Sequence, residues 1–155
     1  MTKRLLTPIR GSRLQVAALC WRASPVLEIL LVTSLRTRRW ILPKGWPHEG
    51  LTLAQSAARE ALEEAGVTGT VAAEPIGRYH YLKDKDGSAL PCAVEIFPLF
   101  VTGTRADWAE KGARELQWLP PEQAAAKVSE PALRQLLQNF RKALPQPKMR
   151  RVPAF

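Results

Sequence analysis

A chain of 155 residues suits one domain, long enough to bury roughly 68–70% of its unfolded surface. Its apolar fraction of 46% is ordinary for a globular protein, and no run approaches the about 20 apolar residues of a membrane-spanning helix. The net charge of +9 constrains the partner instead, since it attracts polyanions: nucleic acid, an acidic lipid surface or a phosphate-dense small molecule.

Residues 1–12 are basic, lack the apolar core of a secretory signal and read as a lead-in to a cytoplasmic domain. Arg13 to Arg22 (RLQVAALCWR) and Val26 to Thr33 (VLEILLVT) predict strands joined at Ala23–Pro25. The cysteines, Cys20 and Cys92, are far apart with no CxxC spacing, against a disulfide scaffold or a zinc site; both lie in apolar runs as buried thiols. SLRTRRW follows, with Arg36, Arg38 and Arg39 just ahead of Trp40. These arginines suit phosphate, through the fixed donor fork of the guanidinium, or equally a solubilising turn.

Pro43 to Gly50 holds two prolines, two glycines and Lys44, a composition that predicts a loop. Thr52 is a good N-cap and Gln55 completes a capping box, so a helix is expected over Leu53 to Ala65, ending at Gly66. Val71 to Lys83 predicts a strand pair or one long strand, with His80 as a surface or packing residue. Asp86-Gly87 signals a hairpin turn into CAVEIFPLFV, where Pro98 suggests an edge strand or a bulge. Glu95 stands alone in that run, as an extra metal ligand or an arginine's partner. After a loop over Arg105 to Gly112, Arg114 to Leu119 predicts a short strand, with helices at Pro121–Lys127 and Glu130–Leu144. The domain then covers 13–144, and 145–155 is a basic, proline-containing tail expected to be extended or disordered. This order fits an α/β fold, a mixed sheet with helices on both faces, with no internal repeat.

The helix over Leu53–Ala65 carries the chemistry. Glu60, Glu63 and Glu64 fall on one face, within about 100° at 3.6 residues per turn, opposite Ala54, Ala58, Ala61, Leu62 and Ala65. Like charges at this spacing repel, and the helix dipole disfavours them in its second half. Arg59 can relieve Glu63 at i+4 but leaves net negative charge. A solvated acidic face would explain the trio alone; a hard divalent cation such as Mg²⁺ would neutralise it.

Loop and helix together resemble the signature of the Nudix hydrolases: glycine, five residues, Glu, seven residues, then Arg-Glu-apolar-x-Glu-Glu-x-Gly-apolar. Gly45, Arg59, Glu60, Ala61, Glu63, Glu64, Gly66 and Val67 stand at its positions, while Leu51 replaces the first acid and Glu49 is two residues out of register. The resemblance implies an α/β/α Nudix sandwich and metal-dependent (Mg²⁺ or Mn²⁺) hydrolysis of a phosphoanhydride. Glu60 and Glu64 would be the principal ligands with Glu63 beside them, and the carbonyl of Gly45 or Lys44 would complete the shell. Arg59 would orient a glutamate. Glu60, then Glu64, is the candidate general base. Glu115, three residues before Trp118, resembles a late feature of such chains and offers either a further carboxylate or an ion pair.

RRWILPKGWP, LCWR and RELQW look similar to the diphosphoinositol polyphosphate and diadenosine polyphosphate branch, over about residues 13–140. A phosphate-rich small molecule held by Arg36, Arg38, Arg39 and Lys44 is therefore the expected partner. An RNA 5′-end pyrophosphohydrolase fits the same charge, though the aromatic-rich basic patches of a single-strand binder are missing. A Nudix-fold binding module without hydrolysis is the reading that Leu51 favours.

Overall fold

The computed structural model describes residues 12–144, so all but the last residue of the expected lead-in, and the whole tail, lie outside the described residues. Strand β1 (Arg13–Arg22) runs parallel to β7 (Ser88–Thr104), from Arg13 opposite Cys92 to Trp21 opposite Phe100. The other edge of β7 is taken first by β6 (Gly77–Lys85) and then by β5 (Val67–Val71), both antiparallel. On its far side β1 meets β2 (Glu28–Thr33), which also pairs with β3 (Trp40–Ile41) and β8 (Leu116–Leu119). The sheet is mixed.

Both faces of this sheet are covered, which is why β1 is a continuous apolar run rather than an alternating one. Val16, Ala18 and Cys20 face α1 (Leu53–Ala65) with Ala54, Ala57, Ala61 and Ala65. Ala17 and Leu19 face the other layer, built from α2 (Pro121–Lys127), α3 (Pro131–Gln138) and α4 (Phe140–Ala143), with Leu133, Leu137 and Phe140 fully buried. The result is an α/β/α sandwich.

Several local expectations change. The segment expected to be wholly irregular contains a two-residue bridge, β4 (Lys44–Gly45), opposite Val16 and Ala17, and the Ala18 amide donates to the Pro43 carbonyl at 2.9 Å. Pro98 is not on an edge strand: β7 is internal. Pro98 lies where the outer partner changes, since Ile96 opposes Gly77 and Leu99 opposes Val71, so its missing N–H leaves no ladder bond unmade. The bulge of this strand falls later, opposite Thr68/Gly69. Val71 ends β5 rather than opening a strand that runs to Lys83. The last helix, expected as one, is interrupted at Asn139, whose side chain and backbone amide both bond to the Gln135 carbonyl. Asp86-Gly87 does make the β6–β7 turn, with φ of 52° and 82°, the two positive values of a type I′ hairpin.

Gly66 ends α1 with φ 70°, its amide bonded to the Leu62 carbonyl, and a β-carbon there would enter the ring of Trp108. Gly87 shares the positive φ but has open space around it. Gly66→Ala should therefore destabilise by clearly more than the about 1 kcal/mol expected of Gly87→Ala from conformation alone. Urea midpoints of the two variants check this; equal shifts would mean that Trp108 simply moves aside.

Candidate active site

The loop before α1 is fastened at both ends. At the helix, the Thr52 hydroxyl accepts from the Gln55 amide at 3.0 Å while the Thr52 amide donates to Gln55 Oε1 at 2.9 Å, the reciprocal pair of a capping box. Within the loop, the Leu51 amide donates to the His48 carbonyl at 3.1 Å. The His48 amide donates to Oγ of the buried Ser56 at 2.9 Å, which folds the loop back over the helix. Ser56 and Glu60 are four residues apart, so the returning loop lands on the carboxylate face.

There the main chain of Gly45 lies against the Glu60 carboxylate. A β-carbon on Gly45 would stand 2.5 Å from Glu60 Cδ, so any other residue would push the two apart. Nε2 of His48 is 2.7 Å from Glu60 Oε2. Ligand atoms of His48, Glu60 and Glu63 all lie within 4.8 Å of one another.

Glu64 departs from the expected face. Its carboxylate is buried beside the packed alanines, because positions 57, 61 and 64 line up along one side of α1. Ala58 and Leu62, expected in that packed row, are only partly covered. Glu64 Oε1 accepts the Lys44 amide at 3.3 Å, and Oε2 lies 3.4 Å from Arg114 Nη2. Burial pushes the carboxyl up to about 9; Arg114 opposes this, while a hydrogen bond to Glu60 and the charges of Glu60 and Glu110 add to it. The neighbouring Glu60 thus adds to the cost of ionising Glu64, a cost that a divalent cation bound nearby would relieve. Oxygen donors packed against an unobstructed backbone at Gly45 fit a hard cation.

Arg114 arrives from a distant part of the chain. The loop after β7 docks on the end of α1, with the Glu110 amide on the Glu63 carbonyl at 3.0 Å and the Arg105 amide on the Gly66 carbonyl at 2.8 Å. These bonds use carbonyls that the helix leaves open at its C-terminus. Arg114 then reaches inward, donating to Glu110 at 2.8 Å and to the Thr33 carbonyl at 3.0 Å.

Beside the carboxylates opens a cavity of about 560 Å³. Arg36, Arg39, Lys44, Lys83 and Arg114 line it against one carboxylate, Asp84. The Lys44 ammonium donates to Tyr81 Oη at 2.7 Å and to Oε1 of the buried Gln15 at 3.3 Å, and the Tyr81 hydroxyl donates to the same oxygen at 2.6 Å. Burial, then the charge of Lys83, lowers Lys44 to about 8, against the pull of Glu64. Leu35, Trp46 and Leu82 also line this cavity while being 52%, 40% and 66% exposed, an apolar rim on a basic hollow.

Of the expected site residues, Glu60, Glu63, Glu64, Gly45, Lys44, Arg36 and Arg39 come together here. Arg38 does not line the cavity. It takes φ 57° and turns toward the Ala113 carbonyl at 3.1 Å and Glu115 at 3.4 Å, so Glu115 is an arginine's partner on the surface. Glu95 likewise pairs with Arg78 on β6. Arg59 is exposed, and among the described residues no ion pair joins it to Glu63. His48, Arg114, Gln15 and Tyr81 had no signal as separate residues; only His48, inside the loop of the signature, sat close enough to the motif to be suspected.

A model of the NUDIX domain family matches residues 13–140. Nudix hydrolase 12, mitochondrial, of Arabidopsis thaliana is 31% identical over 118 residues, covering 74% of this chain and 58% of that protein. Diphosphoinositol polyphosphate phosphohydrolase 3-beta of Bos taurus is 31% identical over 117 residues, covering 74% of this chain and 68% of that one. Among solved structures, an Ap4A hydrolase of C. elegans superposes with a TM-score of 0.61 at 20% identity, over 86% of this chain and 99% of that one. The chain spans a little over half the length of the Arabidopsis relative. With a matched model over most of the described residues and the sandwich in place around the loop and helix, the chain belongs to the Nudix family.

Proposed function

We propose that this protein is a divalent-metal-dependent hydrolase that cleaves a phosphoanhydride in a phosphate-rich substrate. One observation carries the reading: Gly45 is at once a wall of the cation-lined cavity and the seat of the Glu60 carboxylate, so bound phosphate and acidic cluster meet across one residue. Glu60 and Glu63 would hold a divalent ion, which would supply charge neutralisation and Lewis acidity toward the phosphates. The chain's own groups do the rest. Lys44, Arg39 and Lys83 bind and orient the phosphates. Glu60 takes the proton of the attacking water, with Glu64 as the second candidate base. Arg114, tied to Glu64, fixes that carboxylate in place.

The rim selects within this class. An inositol polyphosphate offers no apolar ring face to Leu35, Trp46 and Leu82, whereas a nucleobase does. We therefore favour a dinucleoside polyphosphate, in keeping with the structural likeness to an Ap4A hydrolase. A diphosphoinositol polyphosphate is the second reading, favoured by the bovine relative and by the excess of cations over Asp84.

Turnover of dinucleoside polyphosphates, diphosphoinositols, nucleoside triphosphates and 5′-triphosphorylated RNA, each with Mg²⁺ or Mn²⁺ and with chelator, tests the proposal. Metal-dependent release of nucleotide is expected, with Glu60→Gln and Glu63→Gln each lowering kcat by about 100-fold or more. Binding without turnover on every member would make the protein a binding module.

Trp46→Ala addresses the substrate. Base stacking of about 1–3 kcal/mol implies a KM raised roughly fivefold or more for dinucleoside polyphosphates and little changed for diphosphoinositols. Equal effects on both would remove the base from the rim.

A further inference from the structure

His48 stands three residues before Leu51, the apolar side chain in the slot where the family's signature has its first acid. Leu51 offers no donor to a cation. The turn closed by the Leu51 amide on the His48 carbonyl, and the His48 amide on Ser56, carry the imidazole instead to the carboxylate face, with Nε2 2.7 Å from Glu60 Oε2. Nitrogen and oxygen donors bind a first-row divalent ion at about 2.0–2.2 Å, so opposite ligands of one shell stand about 4.2 Å apart. The donor atoms of His48, Glu60 and Glu63 lie within 4.8 Å of one another, a separation that one shell spans after small side-chain rotations. Glu64 is engaged by the Lys44 amide and Arg114, and the three donors that converge are those of His48, Glu60 and Glu63.

We infer that His48 is an inner-sphere ligand of the divalent cation, with Glu60 and Glu63, and that its imidazole shifts the site from Mg²⁺ toward Fe²⁺, Co²⁺, Ni²⁺ or Zn²⁺. The inference rests on the metal-dependent reading above and adds to it the identity of one ligand and the class of ion. An all-oxygen shell suits Mg²⁺, whereas an imidazole contributes little to Mg²⁺ and much to the later first-row ions. Both backbone bonds that place His48 are independent of its ring, so the ring can turn toward a cation without disturbing the loop.

The chain has two histidines, His48 and the exposed His80 on β6, so a spectroscopic assignment is direct. Untagged full-length protein loaded with Mn²⁺ is examined by pulsed EPR for imidazole-nitrogen modulation, alone and as His48→Gln and His80→Gln. Titration calorimetry with Co²⁺ and Mg²⁺ on the same proteins reads selectivity. The expected result is nitrogen modulation in the wild type and in His80→Gln and its loss in His48→Gln. Co²⁺ affinity in His48→Gln should fall at least about tenfold, with Mg²⁺ affinity changed less than about threefold. His48→Asn serves if the glutamine variant does not fold. Saturable Mn²⁺ binding without nitrogen modulation would overturn the inference, leaving His48 as a hydrogen-bond partner of Glu60 and the metal-dependent reading intact. Modulation that survives in His48→Gln would overturn it too. No saturable binding of any of the three ions would remove both this inference and the reading beneath it.

Discussion

The close approach of the Gly45 main chain to the Glu60 carboxylate is the constraint that the site depends on. A loop can rest on a helix this tightly only where no β-carbon intervenes, and here the contact is between backbone and an anionic group rather than between apolar surfaces. Its partners are set on either side. β4 pairs Gly45 with Val16 in the middle of the sandwich, and the alanines of α1 let that helix sit low on the same strand. Sheet, loop and helix are thereby locked at a distance that no larger residue at positions 45, 57 or 61 would permit. Apolar packing thus sets the position of a polar site.

The same closeness creates the electrostatics. Glu64 is buried because it shares a helix side with Ala57 and Ala61, and burial beside Glu60 raises its proton affinity. Arg114 and the Lys44 amide compensate in part. Lys44 has the complementary history: drawn inward with its main chain on β1, its ammonium rests on Tyr81 and Gln15 and loses some of its hold on the proton. Positive and negative groups are therefore separated across Gly45, cations on the cavity side and carboxylates on the helix side. A substrate that carries its own negative charge and a divalent counter-ion is complementary to both halves at once.

Much of this was legible in the residues because local rules carry it. Thr52, Gln55 and Gly66 mark the helix to the residue, Asp86-Gly87 marks the hairpin, and the loop's glycines and prolines mark the approach to the carboxylates. What stayed hidden depends on contacts between distant segments. Glu64 is inward because of how α1 seats on β1, which the pattern of alanines alone left undetermined. Arg114 is 50 residues from Glu64 and meets it only because the loop after β7 caps the helix. Pro98 was misplaced for a similar reason. Its missing donor is harmless in a central strand when the neighbouring strand changes at that point, and the change of partner is a property of the sheet. Arg38 and Glu115 look like site residues in the sequence but satisfy one another at the surface once the turn takes its positive φ.

Site and fold are also linked energetically. Gly45, His48 and the glutamates are neighbours only in the folded chain, since they belong to a loop, its return and a helix face that the unfolded chain does not align. A cation that binds this arrangement and not the unfolded chain stabilises the fold by mass action. Glu64 gains most from it, because its carboxyl is desolvated and Glu60 beside it raises the cost of ionising it. The alanine packing beneath the site therefore holds the carboxyl groups close together, an arrangement that a divalent ion would favour. A solvated acidic helix face would lack this property: its carboxylates could spread apart in water, and nothing in the fold would oppose them.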